Sequence, residues 1–380
     1  MITFKSNESR SGTTYLAVIA VFMMIGAGLF LGCGPVKTKS LPQIVRQRLV
    51  FADMHAHPGL FHRANAERIP LEEISLYRRQ NIDLVVCSVS ADAVYRGGYV
   101  NSAGTLIKRL NGGRVYPLKT GEAFRFSAER LERIPKTAEE GDAVLALNPA
   151  TVLAARQKGR LTLQPALEGA DGLEGNIENL EKLYQKGLRL LQLIHFRNNE
   201  IGFKQTKPIA PGGLTDFGKS VVRECNRLGI IIDLAHAGTR TTMDVLAISK
   251  HPVVDSHTGA KVIFKSDRHL EDDEIRAIAA KGGVIGIWPN GEDIPSMEEM
   301  MRHFDHVREL VGAKHIGIGS DLRGMKKYTA GFGRQADFRA IAAALLARGY
   351  PDTEVGQIMG GNFFSLWQAV SRDRSSIIWK

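Results

Sequence analysis

Ile230-Ile231-Ile232-Asp233-Leu234-Ala235-His236 is the stretch on which the fold turns. A strand with water on one face alternates apolar and polar residues, whereas a strand covered on both faces reads as a nearly unbroken apolar run. This stretch is of the second kind and ends in a histidine. Before it, Val221, Val222, Cys225 and Leu228 recur at helical spacing, Thr215 can cap that helix, and Gly229 closes it. A helix, a glycine stop and a fully covered strand make one unit of a parallel α/β protein.

Working outward, the same alternation fills the chain from about residue 46. Candidate strands occupy 48–57, 82–90, 161–168, 188–195, 230–236, 252–257, 283–289 and 315–321. Eight such strands, each followed by helical sequence, predict a single α/β domain over residues 46–372, a (β/α)8 TIM barrel. A doubly wound open sheet is the competing architecture, but no glycine-rich phosphate turn follows an early strand. Residues 91–160 exceed an ordinary crossover and are expected to hold a helix or two plus an extended insertion at the barrel mouth.

Residues 1–36 stand apart from this pattern. Lys5 and Arg10 precede a run from Ser11 to Val36 that carries no charge and contains Phe30-Leu31-Gly32-Cys33. The run resembles either a lipoprotein signal with Cys33 as the lipidation site or an uncleaved signal anchor. Both readings export the domain, tether it to a membrane and place it in the cell envelope, on the periplasmic or extracellular side. The formal charge of +10 invites a nucleic-acid reading. The basic residues are scattered among acidic ones, with no dense basic tract, so nucleic acid is not an expected partner. Cys87 and Cys225 stand outside any C-x-x-C pair and read as buried free thiols, with a disulfide the alternative in an oxidising compartment.

The chemistry lies at the strand ends. The first strand closes with Asp53-Met54-His55-Ala56-His57-Pro58, and residues two apart on a strand share a face, so His55 and His57 can reach one ion. Glu168, His195, His236, His257 and Asp321 end the third, fourth, fifth, sixth and eighth strands. A barrel gathers these ends on one rim, where barrel enzymes carry their catalysis. One histidine at a strand end is usually a hydrogen-bonded core residue; seven His, Glu and Asp residues on six strand ends are not explained that way. Imidazole and carboxylate donors suit zinc or a similar divalent ion, one or two per site. Asp53 and Asp233 precede ligand histidines at spacings that suit either supporting hydrogen bonds to them or strand-end structure. His62, His251, His269, His303, His306 and His315 are expected mostly at the surface.

Taken in order, Leu167-Glu168-Gly169, Leu193-Ile194-His195-Phe196-Arg197-Asn198-Asn199, Gly213-Leu214-Thr215-Asp216-Phe217-Gly218, Ile232-Asp233-Leu234-Ala235-His236, Ser256-His257, Gly317-Ile318-Gly319-Ser320-Asp321 and Gly361-Asn362 resemble the membrane (renal-type) dipeptidases, peptidase family M19. The resemblance spans about residues 48–367. It implies that Glu168 bridges two zinc ions, that His55 and His57 complete one site, and that His236 and His257 complete the other. Asp321 would lie beside the first metal and shuttle the proton, His195 would steady the oxyanion and contact substrate, and Arg268 would hold the substrate carboxylate. The substrate implied is a small dipeptide, and a homodimer is an allowed assembly.

Three positions depart from the family pattern. His57 stands where an aspartate is usual, Arg323 replaces a usual aspartate, and Glu200-Ile201-Gly202-Phe203 lacks a usual tryptophan. The last two are expected near the substrate pocket. A metal-dependent amidohydrolase acting on N-acyl amino acids, other amides or lactones is the second reading. A tethered, non-catalytic binding lipoprotein is the third.

Overall fold

The computed structural model describes residues 49–62, 66–96, 99–100, 106–107, 118–139, 143–207, 209 and 211–372. The expectations for residues 1–36, including lipidation at Cys33, lie outside these. Among the described residues no helix is long and apolar enough to cross a membrane.

Eight parallel strands form the barrel: β1 (Ala52–Ala56), β2 (Leu84–Ser90), β3 (Thr162–Glu168), β4 (Leu190–Gln192), β5 (Ile231–Asp233), β6 (Val254–Thr258), β7 (Val284–Ile287) and β8 (Ile316–Ile318). They pair in chain order. The seam between β8 and β1 is completed by the residues after β8. Asp321 N–H donates to the His55 carbonyl at 2.8 Å, and His57 N–H donates to the Leu322 carbonyl at 2.9 Å. The carboxylate of Asp53 accepts from Ser320 N–H at 2.8 Å and from Ser320 Oγ at 2.5 Å. Ser320, Asp321 and Leu322 are thereby held by the strand that carries the first two histidines.

Each strand is buried on both faces, as its apolar run requires. Met54, Leu84, Val86, Ala166, Leu190, Ile231, Val254 and Val284 fill the barrel interior with Phe363 and Trp367 of the helix Asn362–Arg372. A Cβ on Gly317 would lie 2.2 Å from Met54 Sδ, so a glycine is needed for the methionine to cross the interior. The opposite faces of the strands pack under the helices in one large apolar layer. Helix signals act where the sequence puts them. Thr215 Oγ1 accepts from Gly218 N–H at 2.9 Å, Gly229 ends that helix at φ 68°, and Glu271 with Glu274 forms a capping box on Asp272–Ala280. Cys87 and Cys225 are buried free thiols.

Between β2 and β3 the described residues form helices Ala93–Arg96, Glu122–Leu131, Arg133–Glu139 and Pro149–Gln157, a short hairpin of Tyr99–Val100 with Leu106–Ile107, and a two-residue strand Val144–Leu145 beside β3. Its described residues hold four helices where the sequence suggests one or two.

Candidate metal centre

The barrel brings all seven strand-end residues to one point. Glu168 is the last residue of β3 and the hub of the cluster. Its Oε1 lies 3.4 Å from His55 Nε2, 3.7 Å from His236 Nε2, 3.8 Å from His257 Nε2 and 3.2 Å from His195 Nε2. Its Oε2 lies 3.5 Å from His57 Nε2 and accepts from Ser90 Oγ at 2.5 Å. Two triads that could each hold a metal ion therefore share one carboxylate, His55–His57–Glu168 and Glu168–His236–His257, all buried. Asp321 Oδ1 lies 3.3 Å from His57 Nε2, on the first triad's side.

The donor set fits divalent ions. His57 Nδ1–H donates to the Ser88 carbonyl at 2.8 Å; a carbonyl only accepts, so Nε2 carries the lone pair that points at Glu168. Ser256 Oγ lies 2.8 Å from His257 Nδ1, and Ser88 Oγ lies 3.2 Å from His55 Nδ1. The Nε2 atoms of His55 and His57 are 3.3 Å apart, and those of His236 and His257 are 3.1 Å apart. Those separations match two ligands on one ion at about 2.0–2.1 Å each. Burial, then the charge of Arg268, holds His236 well below the usual imidazole range; burial, then His55, does the same to His257. Both rings are thus neutral donors. Burial pulls His55 down as well, but its hydrogen bond to Glu168 and the charges of Glu168 and Asp321 outweigh it and raise it to about 8. Burial alone would raise Glu168, yet the rings of His195, His57 and His55 hold it well below the usual carboxylate range.

Several of these residues sit in costly backbone. His236 has φ 69° and Asp321 has φ 45°, a region that non-glycine residues rarely occupy. Such strain collects at functional sites, where the surroundings over-determine it. The same turns shorten β5 and β8 relative to their apolar runs. His195, His236 and Asp321 each fall three residues past the paired ladder, where the chain turns into the cleft.

The cleft above the cluster has about 340 Å³ of space, lined by His57, Glu168, His195, His236, Arg268 and Asp321 among others. Arg268 lies on the loop after β6. It donates to Gln205 Oε1 and, at 3.1 Å, to the His257 carbonyl, and its guanidinium lies 5.1 Å from the Trp288 ring centre. Phe196, half exposed, stacks on His195 with ring centres 3.9 Å apart.

Gly324 is packed against the carboxylate of Asp321. A Cβ there would lie 1.8 Å from Asp321 Oδ1. Gly324→Ala is expected to retain metal while losing about 10²-fold in turnover, since roughly 1 Å of misplacement has that cost. Elemental analysis beside steady-state kinetics checks this, and unchanged turnover would count against the placement.

Some expectations need correction. His62, His269, His303 and His315 are buried, not at the surface. Their ring nitrogens are used to hold backbone that would otherwise lack partners: His303 Nδ1 accepts from Ala260 N–H at 2.9 Å, while Nδ1–H of His269 and His315 donates to the carbonyls of Phe264 and Gly283. His62 packs edge-on to His57 with ring centres 4.8 Å apart and lines the cleft. Arg323 turns away from the cleft to pair with Glu73 at 2.9 Å, and 200–203 does not line it. For Asp53 and Asp233 the strand-end reading is the one the structure takes: Asp233 Oδ1 accepts from Ala235 N–H and Ser256 N–H, each at 3.0 Å.

Sequence reasoning missed Ser88, Ser90 and Asp92. Ser90 donates to Glu168, and His195 Nδ1–H donates to Asp92 Oδ1 at 2.7 Å. The signal was the alternation Ser88-Val89-Ser90-Ala91-Asp92, which puts three polar side chains on one face at the end of β2.

A barrel whose strand ends converge on a shared carboxylate between two histidine pairs has the build of the metal-dependent hydrolase barrels. The chain belongs to the membrane dipeptidase family, peptidase family M19, which it matches over residues 93–378. His55, His57 and Asp92 precede that stretch, so their place in the site rests on geometry. The chain is 32% identical over 220 residues to dipeptidase verJ of Clonostachys rogersoniana, covering 56% of each. It thus spans about half the length of that curated relative. Its fold is shared with an amidohydrolase from Pseudomonas aeruginosa (20% identity, 87% of this chain and 98% of that one, TM-score 0.70). It is shared also with a metallopeptidase from Rhodobacter sphaeroides, liganded with a phosphinate mimic of the dipeptide L-Ala-D-Ala (22% identity, 85% and 99%, TM-score 0.68).

Proposed function

We propose that the chain is an exported, membrane-tethered metallodipeptidase that hydrolyses the amide bond of small dipeptides with one or two zinc ions. The observation that carries this is Glu168, shared by two buried histidine pairs at the floor of a cleft that also holds Asp321, His195 and Arg268. His55, His57 and Glu168 would hold one ion; Glu168, His236 and His257 would hold the other, with Asp321 beside the first. Zinc bound there supplies a more acidic water and polarises the scissile carbonyl. Asp321 takes the proton of the attacking water and returns it to the leaving amine. His195 Nε2, aimed at the centre of the cluster, donates to the oxyanion that develops on the carbonyl oxygen. Arg268 pairs with the substrate carboxylate at the cleft wall. Export and tethering are supported by the uncharged run after Lys5 and Arg10 and by Cys33.

One observation favours a second reading: His57 is a neutral donor where the family usually has an anion, which leaves the site more positive. That would suit an amide without a free ammonium group, such as an N-acyl amino acid, or a lactone. Assay of zinc-loaded protein against dipeptides, their N-acetylated forms and lactones separates the two. Dipeptides are expected to give a kcat/KM at least about tenfold above the acylated forms, a difference of roughly 1.4 kcal/mol in the barrier. The reverse order would replace dipeptidase by amidohydrolase.

A further inference from the structure

We propose that Asp92 is a positioning residue for His195, fixing its ring so that Nε2 faces the reaction centre. The proposal rests on the reading of His195 as the oxyanion donor. Asp92 lies two residues past β2, at the start of the segment between β2 and β3, and 103 positions before His195. It is 1% exposed, and His195 is 3% exposed. Their contact, His195 Nδ1–H to Asp92 Oδ1, is 2.7 Å, in the short range of hydrogen bonds to an ionised acceptor. A carboxylate can only accept, so Asp92 takes the Nδ1 proton, and Nε2 faces inward to a second carboxylate, Glu168 Oε1 at 3.2 Å; with an acceptor at each nitrogen the ring can donate from both, the form an oxyanion donor needs.

Packing flanks the pair. Phe196 stacks on the His195 ring. Gly169, at φ 86°, lets the chain pass close by: a Cβ there would lie 3.3 Å from His195 Cβ and 2.9 Å from Asp171 Oδ2. Asp171 is in turn paired with Arg197 at 2.6 Å, whose guanidinium sits 4.0 Å from the Tyr95 ring centre. Asp92 and Tyr95 come from one stretch of the inserted segment, and Asp171 and Arg197 from the loops after β3 and β4. The segment between β2 and β3 therefore touches His195 through Asp92, and Arg197, two residues on, through Tyr95. Rotation of the ring by one rotamer would break the hydrogen bond and withdraw Nε2, and the carboxylate sets the cost of that motion.

The test uses the full-length, zinc-loaded chain. Asp92→Asn is expected to lower kcat by about 10–100-fold, the usual effect of removing a ring-orienting partner, with metal content and KM nearly unchanged. In a His195→Ala background the same substitution should cost no more than about twofold, because nothing remains to be positioned. An equal loss in both backgrounds would assign Asp92 a merely structural role and overturn the proposal. A second readout needs no activity. In the ¹⁵N spectrum of histidine-labelled protein, with His195 assigned from the His195→Gln variant, Nδ1 should bear a proton. Asp92→Asn should shift that resonance and leave those of the ligand histidines in place. An unprotonated His195 Nδ1 in the unmodified chain would overturn the proposal even if Asp92→Asn failed to fold. If the chain hydrolyses no dipeptide, the proposed function falls and the spectrum still decides the role of Asp92.

Discussion

Glu168→Ala is expected to empty both metal positions at once and to reduce turnover by about a thousandfold or more, because metal ions of this kind stabilise the transition state by several kcal/mol and each 1.4 kcal/mol is a factor of about ten. No other substitution in the cluster should do both. His55 and His57 belong to one triad and His236 and His257 to the other, so a change at any of them leaves one set of donors intact; Glu168 is common to both. The carboxylate also supplies the negative charge among the imidazoles of His55, His57, His195, His236 and His257. The variant should still fold without metal. His236 and His257 are kept neutral by burial, so removing the anion does not strand two buried cations. Elemental analysis and circular dichroism together check this. Full metal content in a folded Glu168→Ala protein would mean that the centre is not organised around this residue.

Asp321→Asn is expected to do the opposite to metal and nearly the same to rate. Asparagine has the same shape and keeps one carbonyl oxygen, so the first triad, which does not depend on Asp321, should still hold its ion. An amide cannot take up and return a proton at neutral pH, and removal of a positioned acid–base group costs about 10²–10⁴-fold. The loss should fall on kcat, since Asp321 faces His57 at 3.3 Å rather than the Arg268 wall. The backbone is held by Asp321 N–H donating to the His55 carbonyl and by Gly324 N–H donating to the Asp321 carbonyl, neither of which the substitution disturbs. Turnover close to that of the unmodified protein would remove Asp321 from the proton path.

The two predictions also mark how far the sequence could be read. Unbroken apolar runs such as that from Ile230 located all eight strands, because a buried parallel strand has no polar face to hide. The cluster at their ends was legible for the same reason: a histidine or glutamate that closes such a run has no solvent to explain it, and the fold brings these residues together. Strand length was not legible. His195, His236 and Asp321 leave the ladder before the apolar run ends, two of them into left-handed backbone, and residue types do not announce that. Contacts between distant segments were hidden too. Asp92 and His195 are 103 residues apart, so only the folded chain makes them neighbours. The buried His269, His303 and His315 were read as surface residues because a ring that satisfies a buried backbone group has no local pattern. Arg323, two residues past Asp321, was placed near the substrate on proximity in sequence; the left-handed turn at φ 74° sends it to Glu73 instead.

The central claim is a metal centre built on Glu168, and anomalous diffraction at the zinc edge, from crystals of protein whose metal content has been measured, tests it most directly. The account predicts a peak within about 2.0–2.3 Å of a Glu168 oxygen and of Nε2 on His55 and His57, on His236 and His257, or on both pairs. Crystals of protein active on dipeptides that showed no metal at the mouth of the barrel, or an ion elsewhere with Glu168 unligated, would contradict it.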